Sequence, residues 1–239
     1  MELHIFKSAD ELNHAVAEWI VGLIKSTLSD SDRFCWLLSG GNTPKQLYTL
    51  LATDPYKKNI NWSKLHIFFG DERVVPFSDE RNNGNMAYQA LLSHVPIPEN
   101  QIHYIKTEVA AAESAKQYEQ LIDDYFDKGS VTFDLSLLGI GDDAHTLSVF
   151  PGSNTIQETK RKAFSLYLSE QNMFRVTVSP QAVNASMNTA FLATGISKAA
   201  AVKHVLRDNY KPELYPAQLI MPQNNQLHWF IDQAAASQL

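Results

Sequence analysis

Phe34-Cys35-Trp36-Leu37-Leu38-Ser39-Gly40-Gly41-Asn42-Thr43-Pro44 is an unbroken apolar run that ends on two glycines and then a Thr-Pro pair. A short apolar run without polar alternation reads as a strand buried on both faces. Thr43 reads as a helix N-cap, with Pro44 at the first helical position. Strand, glycine turn and helix start in succession make half a βαβ unit, and the pattern recurs along the chain. Leu65–Phe69 ends at Gly70, Phe133–Leu138 ends at Gly139, Ala190–Ala193 precedes Gly195, and Leu227–Ile231 reads as a last strand. Helical spacing falls between these runs. Leu12, Val16, Trp19, Ile20 and Leu23 follow a Ser8/Glu11 capping box, and Ala115, Tyr118, Leu121, Ile122, Tyr125 and Phe126 mark a longer amphipathic helix. Met86–Leu92, the stretch after Ser179-Pro180 and Ser197–Leu206 read as further helices. The expected class is α/β: a doubly wound, mostly parallel sheet with helices on both faces. The expected extent is one domain over residues 1–239, its first strand near residue 33, with or without a small lobe.

Composition narrows the functional classes. Apolar residues make up 44% of 239, enough to bury a sizeable core. The formal net charge is −6 and no Lys/Arg block is present, which argues against a nucleic-acid partner. Met1–Glu11 carries acidic residues without a long apolar run, so it does not read as a signal peptide, and no apolar stretch is long enough to span a membrane. Cys35 is the single cysteine, which excludes an intramolecular disulfide and a cysteine metal cluster and suits a reducing cytoplasm.

In doubly wound folds, ligands bind at the carboxyl ends of the strands. Four segments are singled out by that rule. Ser39-Gly40-Gly41-Asn42-Thr43 reads as a phosphate cradle at a helix N-terminus or as an ordinary tight turn; it has neither P-loop nor dinucleotide spacing. Asp71-Glu72-Arg73 places three charges at a strand end. A carboxylate there can orient hydroxyls or move a proton and the guanidinium can grip an oxyanion, or the triplet is a solvated turn with a local ion pair. In Gly139-Ile140-Gly141-Asp142-Asp143-Ala144-His145, a histidine stands between glycine-rich backbone and carboxylates, a setting that none of the other seven histidines has. Imidazole ionises near neutrality and suits proton transfer, with a nearby carboxylate to set its tautomer. Lys198, in the first turn of a helix, is opposed by the helix dipole unless an anion sits there, or it is an ordinary surface lysine. Arg175 enters a strand-like run as an edge charge or a ligand-facing guanidinium. No metal-ligand spacing such as H-E-x-x-H occurs, so neither metal nor cofactor is expected.

Together and in order, these segments resemble the 6-phosphogluconolactonases. Ser39–Pro44 resembles S-G-G-x-T-P, and Asp71–Pro76 resembles D-E-R-x-V-P. Gly139–Gly152 resembles G-[IM]-G-x-D-G-H-T-x-S-[LI]-F-P-G, Arg175–Thr177 resembles R-[IV]-T, and Gly195–Ala199 resembles G-x-x-K-A. Two departures stand out. Ala144 replaces a glycine, and in Asn82-Asn83-Gly84 the family's serine and tyrosine become Asn82 and Gly84, while Asn83 matches its asparagine. The resemblance implies a Rossmann-like fold shared with sugar-phosphate isomerases and deaminases, and hydrolysis of 6-phospho-D-glucono-1,5-lactone in the oxidative pentose phosphate pathway. It implies His145, Asp143 and Asp71 as catalytic residues. Substrate and phosphate would be held by Ser39, Gly40, Gly41, Asn42, Thr43, Arg73, Asn83, Arg175 and Lys198. The implied partner is a small phosphorylated sugar lactone, with no nucleic acid or membrane, and the state a monomer or weak homodimer. A glucosamine-6-phosphate deaminase is the nearest alternative, but its loop carries a glutamate where this chain has Phe150. A sugar-phosphate sensor on the same fold is a second. Such sensors carry a DNA-binding domain, for which the residues before 33 leave no room.

Overall fold

The computed structural model describes residues 1–126 and 132–239. In chain order the elements are β1 (Glu2–Phe6), α1 (Ala9–Asp30), β2 (Phe34–Leu38), α2 (Asn42–Leu51), α3 (Tyr56–Asn59), β3 (Leu65–Phe69), β4 (Asp71–Arg73) and α4 (Asn83–Ala90). They continue with α5 (Ala111–Tyr125), β5 (Leu135–Gly139), β6 (Ala163–Leu168), β7 (Met173–Val178), α6 (Pro180–Asn184), β8 (Thr189–Ala193), α7 (Ala199–Arg207) and β9 (Leu227–Asp232). Six strands form one sheet in the order β1-β9-β8-β5-β2-β3. Every neighbouring pair in it is parallel. Every residue of β2 and β8 is buried, so both faces of the sheet centre are covered, as unbroken apolar strands require. The chain leaves β2 for β3 on one side and returns to β5 on the other. That reversal opens a crevice at the carboxyl ends of β2 and β5, where doubly wound folds bind their ligands.

Several elements depart from the sequence reading. The first strand is β1, not β2; its residues are mostly half-exposed and it pairs only with β9 at the sheet edge, so it lacks the apolar run of an inner strand. Ser8 does cap α1, accepting the Glu11 N–H at 3.2 Å, while Glu11 reaches back to the Lys7 N–H at 3.1 Å. Gly41, not Thr43, stands at the N-cap of α2, and the Thr43 hydroxyl lies 2.8 Å from that of Thr194. α4 starts at Asn83, three residues before the expected Met86, because Asn82 Oδ1 accepts the Asn85 N–H at 2.8 Å. Asp71–Arg73 is a strand rather than a turn. With β7 and β6 it builds a second, antiparallel sheet in the order β4-β7-β6. α5 packs against β6 and β7.

Two buried tyrosines secure the strand ends beneath the crevice. Tyr48 on α2 accepts the Ser39 N–H at 3.0 Å and donates to Ser39 O at 2.9 Å. Tyr118 on α5 does the same for Phe69, accepting its N–H at 2.8 Å and donating to its carbonyl at 3.1 Å. Phe69 ends β3, an edge strand whose outer backbone groups need partners. Gln101 donates to Leu65 O at 2.7 Å and the His103 N–H to Ile67 O at 2.8 Å, so side chains and an irregular segment close that edge. Burial pushes both phenols far up, keeping them protonated as donors. Replacing either hydroxyl orphans a buried N–H and a buried C=O. Tyr48→Phe and Tyr118→Phe should each lower unfolding free energy by about 1–3 kcal/mol, read from urea midpoints at unchanged slope.

Candidate active site

The crevice opens into a cavity of ≈ 230 Å³ walled by the turn after β2, by β4, by the loop after β5, by Gln171 and Arg175, and by Lys198. The loop after β5 folds back on itself. Gly141 N–H donates to His145 O at 2.8 Å and Ala144 N–H donates to Gly141 O at 3.0 Å. Ala144 takes φ 63°, a left-handed backbone that favours glycine and costs alanine about 1–2 kcal/mol. This course lays the His145 ring directly on Gly141. A Cβ at 141 would stand 2.1 Å from His145 Nδ1 and 2.4 Å from Asp143 Oδ1, so no other residue fits. Phe150 packs on the imidazole at 4.4 Å between centroids.

His145 Nδ1 and Asp143 Oδ1 are 2.5 Å apart, and the same oxygen accepts the His145 N–H at 3.1 Å. Partial burial pushes the Asp143 carboxyl up, but its bonds to the His145 ring and backbone prevail and hold it below the ordinary value. The carboxylate therefore accepts a hydrogen bond from Nδ1–H and leaves Nε2 as the basic nitrogen. The result is an oriented imidazole lining a polar cavity, an arrangement that can serve general-base chemistry.

The β4 triplet divides by strand alternation. Asp71 and Arg73 line the cavity, while Glu72 is buried behind it. Glu72 accepts the N–H groups of Asn83 at 2.7 Å, Gly84 at 2.8 Å and Arg73 at 2.8 Å, so it anchors the positive end of α4. That anchor sets Asn83 against Gly40, where a Cβ would meet the Asn83 Oδ1 at 2.0 Å. Asn83 Nδ2 donates to Asp71 O at 2.9 Å and to Asp71 Oδ1 at 3.2 Å, and Ser148 Oγ donates to Asp71 Oδ2 at 2.6 Å. Asp71 is thereby fixed from two sides. At Gly84, the Tyr104 ring occupies the space that a side chain would take.

Three cations surround the cavity in a chain of net charge −6. Arg73 and Arg175 stand opposite each other in the β4–β7 register, an arrangement that repels. Burial, aided by the Arg73 charge and opposed by Asp71, holds Arg175 below its ordinary value. Arg175 bonds to Gln171, and Arg73 Nη1 donates to Arg81 O at 2.7 Å, yet the Nε of each is buried without a partner among the described residues. An anion there would relieve the repulsion and accept these donors. Lys198 Nζ lies 2.7 Å from Asp142 Oδ1, so the anion expected beside this lysine is supplied in part by the chain itself.

Of the residues singled out from sequence, Ser39, Gly40, Gly41, Asp71, Arg73, Asn83, His145, Arg175 and Lys198 line the cavity. Asp143 stands behind His145, and Asn42 and Thr43 line an adjoining depression. Glu72, Ser148 and Gln171 were not assigned roles. Reading the charged triplet as a strand would have separated Glu72 from its neighbours; Gln171, in the turn between β6 and β7, carries no local signal.

The profile of a family described as glucosamine-6-phosphate isomerases/6-phosphogluconolactonase matches residues 7–229. The chain is 37% identical over 206 residues to a 6-phosphogluconolactonase of Synechocystis sp., covering 84% of this chain and 83% of that protein. It is 33% identical over 198 residues to the 6-phosphogluconolactonase of Haemophilus influenzae, covering 83% and 84%. The solved 6-phosphogluconolactonase of Trypanosoma cruzi superposes with a TM-score of 0.86 at 29% identity, over 100% of this chain and 96% of that one. A monomeric glucosamine-6-phosphate deaminase superposes at 0.85 over 100% of both chains but at 21% identity, a likeness of fold alone.

Burial pushes the Glu72 carboxyl up to about 7, against the pull of its three backbone N–H partners and with help from Asp71. The folded chain thus holds this proton to higher pH than the unfolded chain does. Its stabilisation is complete below the unfolded value near ~4.3 and is lost as pH rises through about 7. Urea unfolding should show stability falling across that window by an amount on the order of 3 kcal/mol, and Glu72→Gln should flatten the slope.

Proposed function

The chain belongs to the glucosamine-6-phosphate isomerase/6-phosphogluconolactonase family, and from that premise we propose that its cavity is the site at which it hydrolyses 6-phospho-D-glucono-1,5-lactone to 6-phospho-D-gluconate. The observation that carries this reading is the Asp143–His145 pair, 2.5 Å apart, facing a cavity ringed by Arg73, Arg175 and Lys198. Phe150 distinguishes it from the deaminase alternative. A phenyl ring against the imidazole cannot relay the proton that a glutamate would carry during sugar ring opening.

In the reaction, Lys198, Ser39 and the N–H groups opening α2 hold the phosphate, which takes the place of the Asp142 carboxylate beside Lys198. Arg175, and after it Arg73, adds charge from the second sheet. Asp71, fixed by Ser148 and Asn83, holds sugar hydroxyls. Anchoring the phosphate places the lactone carbonyl next to His145. Nε2 takes a proton from water as the water oxygen bonds to C1. When the C1–ring-oxygen bond breaks, Nε2 returns the proton to the leaving oxygen, and the carboxylic acid formed then ionises. Backbone N–H groups of the glycine-rich loops, or Arg73 where Arg175 alone serves the phosphate, stabilise the intermediate oxyanion. The step needs no metal and no covalent intermediate. Cys35 is free and buried, its thiol pushed up to about 12 chiefly by burial, in keeping with a reducing cytoplasm. No helix among the described residues is long and apolar enough to cross a membrane.

The test is hydrolysis of freshly generated lactone, with spontaneous opening subtracted and EDTA present. Wild type should accelerate ring opening and His145→Ala should lower kcat by ~10²–10⁴-fold. Gly141→Ala should follow His145→Ala, because its Cβ displaces the imidazole. Lys198→Ala should raise KM for the phosphorylated lactone with little change for the unphosphorylated one. Binding of 6-phosphogluconate without any acceleration would instead favour a sensor on the same fold.

A further inference from the structure

A second cluster of chemically active side chains lies at the opposite end of the sheet. Glu2 and His4 alternate on β1, so both side chains leave the same face of the strand. β9 runs beside them with His228 opposite Glu2 and Phe230 opposite His4. His228 precedes Asp232 by four residues, roughly 13 Å of strand, and Asp232 accepts the Gly195 N–H on the active-site side. The cluster is therefore separate from the lactone cavity.

His4 Nε2 is 3.5 Å and His228 Nδ1 is 3.4 Å from the same carboxylate oxygen, Glu2 Oε2. The three atoms lie within 4.8 Å of one another. Both nitrogens are shielded from solvent and neither has a hydrogen-bond partner among the described residues, and His228 is only 6% exposed. A simple ion pair leaves both imidazole nitrogens unsatisfied. A tetrahedral ion with nitrogen and oxygen donors at ~2.0–2.2 Å separates neighbouring donors by about 3.4 Å, close to the spacing of both nitrogen–oxygen pairs here. The rings are held in place by packing. Phe230 stacks on His4 at 4.7 Å, and Trp19 packs on His228 at 5.0 Å. Two imidazoles and one carboxylate select zinc-class transition ions over magnesium or calcium.

We propose that Glu2, His4 and His228 bind one divalent transition-metal ion of the zinc class, which fastens the edge strand β1 to β9. Glu2 is exposed, so water completes the coordination. β1 pairs only with β9, and a bridge between ligands from both strands adds a link where the hydrogen-bonded ladder ends.

The test uses the untagged full chain, cleared of metal with EDTA and titrated with Co²⁺. One equivalent should bind with the visible absorption of a tetrahedral site, and Zn²⁺ should bleach it. Glu2→Gln and His4→Gln, at side chains 63% and 36% exposed, should leave the fold intact and weaken binding by about tenfold or more. Saturating Zn²⁺ should raise Tm in wild type and not in these variants. Lactonase turnover should be equal in all of them with and without EDTA, so this result and that of the lactonase assay are independent. No tetrahedral band at millimolar Co²⁺, or a band unchanged by Glu2→Gln and His4→Gln, overturns the proposal.

Discussion

The parallel pairing of β2 with β3 on one side and β5 on the other is the constraint on which the site depends. Because the strands are parallel, their carboxyl ends, and the turns that leave them, lie at one edge of the sheet. Because the chain reverses its direction of winding at β2, the turns after β2 and β5 part instead of packing together. The crevice is thus a product of topology. The side chains that fill it come from segments more than a hundred residues apart, such as Ser39 and His145.

Within that frame, precision comes from close backbone approach. Two glycines, Gly40 and Gly141, are covered by Asn83 and His145 respectively, so each functional side chain rests on bare main chain that leaves it little freedom. Glu72 extends the same logic. Its carboxylate anchors the start of α4, α4 presents Asn83, and Asn83 with Ser148 fixes Asp71. A chain of ordinary hydrogen bonds thus ties the helix to the carboxylate that faces the cavity. The second, antiparallel sheet contributes the opposed Arg73 and Arg175, whose mutual repulsion makes the cavity receptive to an anion despite the acidic chain.

Much of this was legible from local pattern. Fully buried strands carry unbroken apolar runs, so β2, β3, β5 and β8 stood out, and the turns that follow β2 and β5 carry glycine, charge and His145. Edge and half-exposed strands lack that signature, which is why β1, β4 and β6 were missed and why α1 was read as preceding the first strand. Boundaries slipped where a cap competed with a stronger-looking neighbour. Thr43-Pro44 looked like a helix start, yet Gly41 holds the N-cap and Thr43 turns to Thr194. Ala144 was a departure in sequence whose consequence, a left-handed alanine, is visible only in the backbone.

Local sequence was sufficient for the α/β class, the strand ends that line the cavity, and the presence of carboxylates next to His145, because each rests on residues within a few positions of one another. Folding was needed to set Arg73 against Arg175, to bury Glu72 behind the site, and to bring Glu2 and His4 at one end of the chain to His228 near the other. Those relations arise from strand register, and register is settled by which faces find burial when the whole sheet assembles.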